Sequence, residues 1–227
     1  MSRERIAAEA VALLDEEQVG GLTMRRLADR LDAGLATLYW HVATKDEVVD
    51  LALDEIFGEV RLPAAGVHDW QDGVRILATE WRATMLRHPW SAALLGRPLL
   101  GPNVLARTEY LHSTLLHAGL REPHLSAATH AVANYVIGSA LTQSTWRLTD
   151  ASVRRAAQQH LHAQRDVYPT LADHGHLDDK GSEDTRFDNG LTYVINGIEA
   201  IRAGREPAAG GDAPPERGRR RAPRGTR

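Results

Sequence analysis

Residues 22–42 contain two short amphipathic helices separated by a break, and this feature constrains the fold more than any other. Thr23 is suited to begin the first helix, because its hydroxyl can accept a hydrogen bond from a free amide of the first turn. Leu27 and Leu31 lie four residues apart on one face of that helix. Residues 32–34 (Asp-Ala-Gly) predict a sharp turn, since Asp and Gly tolerate a left-handed backbone. The segment therefore predicts a helix-turn-helix.

The second helix of this pair, predicted over residues 35–41, is too short to be stable alone. Leu38 and Val42 can pack inward, and the remaining polar and aromatic side chains then project outward. The second helix of a helix-turn-helix lies in the major groove of DNA, so an exposed aromatic cluster here is a candidate contact surface. The alternative is that these aromatic rings belong to the core of a helical bundle that binds no nucleic acid.

Two motifs indicate a family. Residues 37–42 (Thr-Leu-Tyr-Trp-His-Val) and 44–47 (Thr-Lys-Asp-Glu), together with residues 22–28, resemble the DNA-binding domain of the TetR family of bacterial transcriptional repressors. Weaker similarity to the tetracycline-repressor type of regulatory domain follows at residues 88–90, 100–103 and 187–199. The resemblance implies a homodimer whose N-terminal domains read a palindromic operator in double-stranded DNA. It also implies a larger C-terminal domain that binds a small-molecule effector and releases the DNA.

The composition of the 227-residue chain excludes several other classes. It contains no cysteine, which excludes a disulfide framework, a thiolate metal site and a cysteine nucleophile. No segment reads as a secretory signal, and the longest apolar run, around residues 131–141, is shorter than the ~20 residues that span a membrane. We therefore expect a soluble, cytoplasmic protein with no membrane partner. The net charge of −3 does not indicate a nucleic-acid binder, so DNA binding must depend on a few well-placed contacts.

The sequence predicts an all-α fold with a three-helix DNA-binding domain and a larger helical domain for ligand binding and dimerisation. A first helix is predicted over residues 3–17, ended by Gly20 and Gly21. Thr44 and Glu47 fit a capping box, which places Lys45 at a helix N-terminus, where phosphate binds well. The predicted domains are a TetR-type helix-turn-helix domain at 1–60, a ligand-binding and dimerisation domain at 63–204, and a disordered Arg-rich tail at 205–227.

The larger domain is predicted to contain helices over residues 69–88, 104–118, 126–148, 151–164 and 186–203, with a mobile loop at 166–184. The helix at 126–148 is apolar almost all round, which predicts burial on nearly every face. We expect it to form, with the helix at 186–203, a four-helix interface across a two-fold axis. The small residues that would allow close approach there are Ala133, Gly138, Ala140, Gly190 and Gly197.

The candidate DNA-binding residues follow from these placements and from the resemblance. Side chains with hydroxyl or imidazole groups can hydrogen-bond phosphates or base edges, and aromatic rings can pack on the sugar-phosphate wall. Leu35 and Ala36 stand where tetracycline repressors carry polar base-reading residues, and they can contact only a thymine methyl group. The turn also carries Asp32 where the family usually has glycine. The full candidate set is Arg25, Leu35, Ala36, Thr37, Tyr39, Trp40, His41 and Lys45.

The candidate effector-binding residues are apolar and aromatic with a few hydroxyl groups, which suits a flat, largely hydrophobic ligand. Ile76 and Leu77 replace the asparagine that tetracycline repressors carry, and residues 58–60 lack the expected histidine. The sequence therefore predicts no response to magnesium-tetracycline. The alternative for any single ring is that it only fills the core. The set is Trp81, Met85, Leu86, Trp90, Leu94, Leu95, Leu105, Tyr110, Tyr135 and Thr142.

The sequence offers little support for a metal site or an enzyme active site. The pairs His160/His162 and His174/His176 have a spacing that suits strands, not helices, so we expect no metal site and no cofactor. No glycine-rich phosphate loop or nucleophile elbow is present. The sequence thus predicts a ligand-responsive repressor and not an enzyme. The alternatives are an all-helical enzyme acting on a hydrophobic small molecule and a pure interaction bundle.

Overall fold

The computed structural model describes residues 1–64, 69–95, 99–174 and 182–204, and all regular secondary structure in these ranges is helical. This confirms the all-α fold. A 3₁₀ turn at Ala92–Leu94 lies between the fifth and sixth helices. The α-helices, in chain order, are α1 Arg3–Gly21, α2 Met24–Arg30, α3 Leu35–Tyr39, α4 Lys45–Phe57, α5 Trp70–Arg87, α6 Pro102–His117, α7 His124–Leu148, α8 Ala151–Ala163, α9 Pro169–Asp173 and α10 Glu183–Arg202.

The first four helices form a compact N-terminal unit in which α1 packs along α4, while α2 packs against both α1 and α3. The predicted cap is present, because the Thr23 hydroxyl accepts from the amide of Arg26. The end of α1 differs from prediction, whereas the turn after α2 is as predicted. Helix α1 is interrupted at Gln18, where φ is 59°, before the glycines. In the turn after α2 it is Asp32, with φ 50°, that takes the left-handed conformation, while Gly34 caps α3 with an extended backbone.

The larger unit is built around α7, which packs against α5, α6, α10 and the 3₁₀ turn. Helix α4 also packs on α5 and α6, so a single hydrophobic core runs through both units. The Asp54 carboxylate of α4 accepts from the amides of Asn103 and Val104 at 3.0 Å each. This acid at a helix N-terminus fixes the start of α6 to the N-terminal unit.

Two expectations for the larger unit need correction. The predicted loop at 166–184 contains the short helix α9, which begins at Pro169, and α10 begins at Glu183 because Ser182 caps it. In the single chain the buried side chains of α7 form one stripe, and Gly138 and Leu141 are exposed, so burial of the remaining faces stays a prediction about the dimer. The predicted Arg-rich tail at 205–227 and His176, which was considered as a metal ligand, lie outside the described residues.

None of the helices that the structure describes combines the length and the apolar composition of a membrane span.

Candidate functional site

Helix α3 presents its aromatic residues to solvent. Leu38 and Val42 are fully buried and anchor the helix, while the side chain of Trp40 is 88% exposed and that of Tyr39 is 47% exposed. These exposures rule out the alternative that the two rings belong to the core. The other candidates of this segment are also at the surface, with Leu35, Ala36 and Thr37 exposed and His41 partly buried.

Most arginines of the N-terminal unit are engaged by acidic side chains or backbone carbonyls of the same unit. Arg3 donates to the carbonyl of His41 at 2.8 Å and to the carboxylate of Glu47 at 2.7 Å. Arg26 pairs with Glu17, and Arg30 pairs with Glu9 and Glu16. Arg5 donates to the carbonyl of Leu31. By contrast, Arg25 is exposed, and its side chain makes no hydrogen bond or ion pair with the described residues.

The N-terminus of α4 lies next to α3 in the chain and has the predicted cap. The Thr44 hydroxyl accepts from the amide of Glu47 at 3.1 Å, and the Glu47 carboxylate accepts from the amide of Ala43 at 2.7 Å. The amide of Ala43 and the side chain of Arg3 hold the pKa of Glu47 below its ordinary value. Lys45 is exposed, with its Nζ 3.5 Å from the carbonyl of Val19. Its amine and the free amides of this turn can therefore meet a phosphate together.

The candidate effector residues do not surround one described cavity. Trp81 and Met85 are buried core residues, and Leu105 is 48% exposed. Tyr135 and Thr142 both line a cavity of about 360 Å³, which Phe187 also lines. The other members of the set, Leu86, Leu94, Leu95 and Tyr110, are partly buried.

Trp90 lies at a contact between the two units. Its Nε1 donates to the Asp15 carboxylate of α1 at 2.7 Å, and His88 Nδ1 lies 2.8 Å from the same carboxylate. His88 Nε2 lies 3.2 Å from Glu59, to which Arg87 donates at 2.8 Å. Burial acts to raise the pKa of Glu59, but Arg87 and His88 outweigh it and hold that pKa below its ordinary value. Trp90 therefore ties α1 to the segment after α5, which the sequence did not indicate.

Two buried arginines were also missed, because a lone arginine in an amphipathic helix resembles a solvated one. Arg82 of α5 donates to Asp184 at 2.9 Å and to Gln143 at 2.6 Å, so its charge is paired. Arg107 of α6 is 8% exposed, with its guanidinium 3.5 Å from the ring centroid of Trp81 and 4.5 Å from that of Phe57. Burial lowers the pKa of Arg107 to about 9.

The exposed sides of α7 and α10 form an apolar groove of about 310 Å³. Added Cβ atoms at Gly138 or Gly197 would meet nothing within 4 Å, so both glycines face open space. Gly190, in contrast, lies against the ring of Tyr135 in the same chain, and Ala140 is fully buried. Of the predicted small residues, Gly138 and Gly197 thus lie on an open face, whereas Gly190 and Ala140 belong to the internal packing. In the parts of the chain that are described, no group of three potential metal ligands occurs.

Comparison with known proteins agrees with this architecture. The family profile described as "Tetracyclin repressor-like, C-terminal domain" matches residues 62–202. An HTH-type transcriptional regulator of Saccharopolyspora erythraea is 46% identical over 202 residues, covering 88% of this chain and 85% of the relative. The HTH-type transcriptional repressor DrrR1 of Streptomyces coeruleorubidus is 32% identical over 216 residues. The match covers 90% of this chain and 80% of that repressor. The crystal structure of the TetR family protein ActR of Streptomyces coelicolor in complex with actinorhodin is 29% identical, with a TM-score of 0.77, covering 91% of this chain and 99% of that one.

Proposed function

The chain belongs to the TetR family of transcriptional regulators, and from this premise we propose that it represses by binding a palindromic operator as a homodimer that a small, largely hydrophobic effector releases. As a family member it is a ligand-responsive, DNA-binding regulator. The observation that carries the DNA-binding part is the outward display of Tyr39 and Trp40 beside the N-terminus of α4.

In the proposed complex α3 lies in the major groove, with Tyr39 and Trp40 packed on the sugar-phosphate wall. Thr37 and His41 hydrogen-bond phosphates or base edges, while Leu35 and Ala36 contact thymine methyl groups. The amine of Lys45 and the amides of the first turn of α4 hold one phosphate. Arg25 contacts a phosphate or a guanine edge. The side chains of Arg26 and Arg30 are engaged with glutamates of α1, which supports giving these roles to Arg25 and Lys45.

The homodimer is supported by the open face of α7 and α10. Ala131, Tyr193 and Ile201 line the groove there, and Tyr193 is 74% exposed. Burying such apolar surface against the same surface of a second copy forms a closed two-fold interface. The proposed units are residues 1–60 for DNA binding and 63–204 for ligand binding and dimerisation, with 205–227 as a tail.

We propose that the effector is held by residues of the predicted hydrophobic and aromatic set, without magnesium-tetracycline chemistry. That set is Trp81, Met85, Leu86, Trp90, Leu94, Leu95, Leu105, Tyr110, Tyr135 and Thr142. The enzyme alternative is not favoured, because the relatives described above are named as transcriptional regulators or repressors. We propose that the protein acts on DNA in the cytoplasm and has no catalytic role.

The test is selection of bound fragments from genomic DNA by the purified protein, followed by release assays with aromatic compounds. Recovery of a shared palindrome, bound by two protomers and released by a subset of the compounds, is expected. Binding without sequence preference, or by one protomer, would contradict the proposal. A control selection with Trp40→Ala should recover no shared sequence.

A further inference from the structure

Arg107 is a buried cation that forms no ion pair with the residues that the structure describes. Its Nε and Nη1 are both buried, and neither finds a hydrogen-bond acceptor among the described residues. No nearby charge contributes to the change in its pKa, which burial alone produces. With a pKa of about 9 the guanidinium still carries its charge at neutral pH.

The surroundings of this cation are aromatic and contribute a further unused donor. The guanidinium stacks over Trp81 of α5 and lies near Phe57 of α4, whose rings meet edge to face at 6.3 Å. The indole Nε1 of Trp81 is also buried and has no acceptor in the described part of the chain. Two side chains in contact thus present three nitrogen atoms whose N–H groups are unused. A guanidinium over aromatic faces regains only part of the solvation that it loses on burial.

A comparison with Arg82 shows that this fold can pair a buried arginine. Arg82 is 6% exposed and stacks on Phe187 at 4.5 Å, in an arrangement similar to that of Arg107. Its guanidinium nevertheless donates to Asp184 and Gln143. The carboxylate of Asp54, which is on the same helix as Phe57, is already occupied by the amides at the start of α6. Arg82 Nε is also buried without an acceptor, but among the described residues only Arg82 of these two arginines has a carboxylate partner.

We propose that Arg107, with Trp81 Nε1 beside it, is the recognition site for an ionised acidic group, a carboxylate or an acidic phenolate, on the aromatic effector. An oxygen of the carboxylate or phenolate accepts an N–H group from one of the two guanidinium nitrogens that find no acceptor among the described residues. The aromatic body of the ligand then extends the stack that Trp81 and Phe57 begin. This inference rests on the proposed function, since it names the chemistry of the effector.

The site also has a position from which a ligand can influence DNA binding. Phe57 is the last residue of α4, and the first turn of the same helix holds Lys45. Helices α4, α5 and α6 meet at Arg107 through Phe57, Trp81 and Arg107 itself. A ligand bound to the guanidinium beside these rings would therefore act directly on the helix that carries the phosphate contact.

The test uses a panel of aromatic acids of one to three fused rings, each paired with its neutral carboxamide, and measures binding by calorimetry. We expect at least one acid to bind the wild-type protein roughly ten- to a hundredfold more tightly than its amide, the range for hydrogen bonds to a charged group. The variant Arg107→Met should lose this preference, and Arg107→Lys should retain part of it. The matched control is Arg154→Met, which removes an arginine near Trp146 that donates to the carbonyls of Trp146 and Thr149. It should keep the preference.

Thermal unfolding separates binding from a structural role. If Arg107 is an unpaired buried charge, Arg107→Met will unfold at the same temperature as the wild type or higher. A large fall in that temperature, or equal binding of acid and amide across the panel, would overturn the proposal. Release of the operator by neutral aromatics alone would overturn this inference and leave the proposed function standing. Failure of the wild-type protein to bind any operator would instead contradict the proposed function.

Discussion

The indole Nε1 of Trp90 donates to the carboxylate of Asp15 at 2.7 Å, joining residues 75 positions apart in sequence. Asp15 belongs to the DNA-binding unit and Trp90 to the segment that follows α5. His88 shares the same carboxylate, so one acidic group accepts from two side chains of the regulatory unit. This junction gives the two units a defined relative position that the shared apolar core alone would not specify.

Replacing Trp90 with phenylalanine should weaken this junction while keeping most of the buried ring. We expect a loss of about 1–2 kcal/mol in the free energy of unfolding, because a hydrogen bond to a charged group is removed. Denaturant unfolding measures the loss. The matched control is Trp40→Phe, at an exposed position without a hydrogen bond to Asp15, which should change stability little. Equal stability of both variants would show that the Trp90–Asp15 bond contributes nothing.

Removing either ring of α3 should abolish specific operator binding without unfolding the protein. Trp40→Ala and Tyr39→Ala delete exposed surface, so the helix content and the oligomeric state should stay unchanged while operator affinity falls to the nonspecific level. Tyr168→Ala, at another exposed tyrosine, is the control. Circular dichroism and a DNA-binding titration test this. Normal operator binding by either α3 variant would contradict the proposed interface.

Lys45→Ala should weaken binding to all DNA sequences alike. Loss of a phosphate contact lowers the slope of log affinity against log salt by about one per contact. The measurement is a salt titration on operator and on unrelated DNA. Arg30→Ala removes a cation that is paired with Glu16 and should leave the slope close to that of the wild type. A changed base preference in Lys45→Ala would indicate base readout instead of phosphate binding.

Gly197→Leu should dissociate the dimer without unfolding the protomer. A side chain at Gly197 enters open space in the single chain, and leucine favours a helix more than glycine does. In the dimer the same side chain would separate the two surfaces. Gly190→Leu is the contrasting change, because its side chain would meet Tyr135 and should lower the stability of the protomer. Sedimentation distinguishes them, and an unchanged dimer with Gly197→Leu would contradict the interface.

The contribution of Glu59 to stability should disappear in acid. Its pKa in the folded protein lies below the ordinary value of 4.5, despite opposing burial, because of Arg87 and His88. The stabilisation is therefore present above about pH 4.5 and is lost as the pH falls through the folded pKa. The difference in unfolding free energy between wild type and Glu59→Gln should shrink as the pH falls below 4.5. A constant difference down to pH 3 would contradict this.

The sequence by itself determined those features that depend on neighbouring residues. Helical periodicity and the short length of α3 predicted that Leu38 and Val42 would be buried and the aromatic rings exposed. Caps at Thr23 and Thr44 were predictable because a capping hydroxyl acts within three residues. Even the substitution of Asp32 for the usual glycine is explained locally, since Asp tolerates the left-handed conformation that the turn adopts.

The tertiary structure alone decided which side chains meet across long separations. The partners of Trp90 and Arg107 lie up to 75 residues away, and no local pattern encodes such a contact. Trp90, predicted to lie beside a ligand, also joins two units, while Arg107, which resembled a solvated arginine, is buried over Trp81. The reason is physical: a helix places its residues on faces by local geometry, but whether a face becomes core, interface or binding site depends on which other helices pack against it.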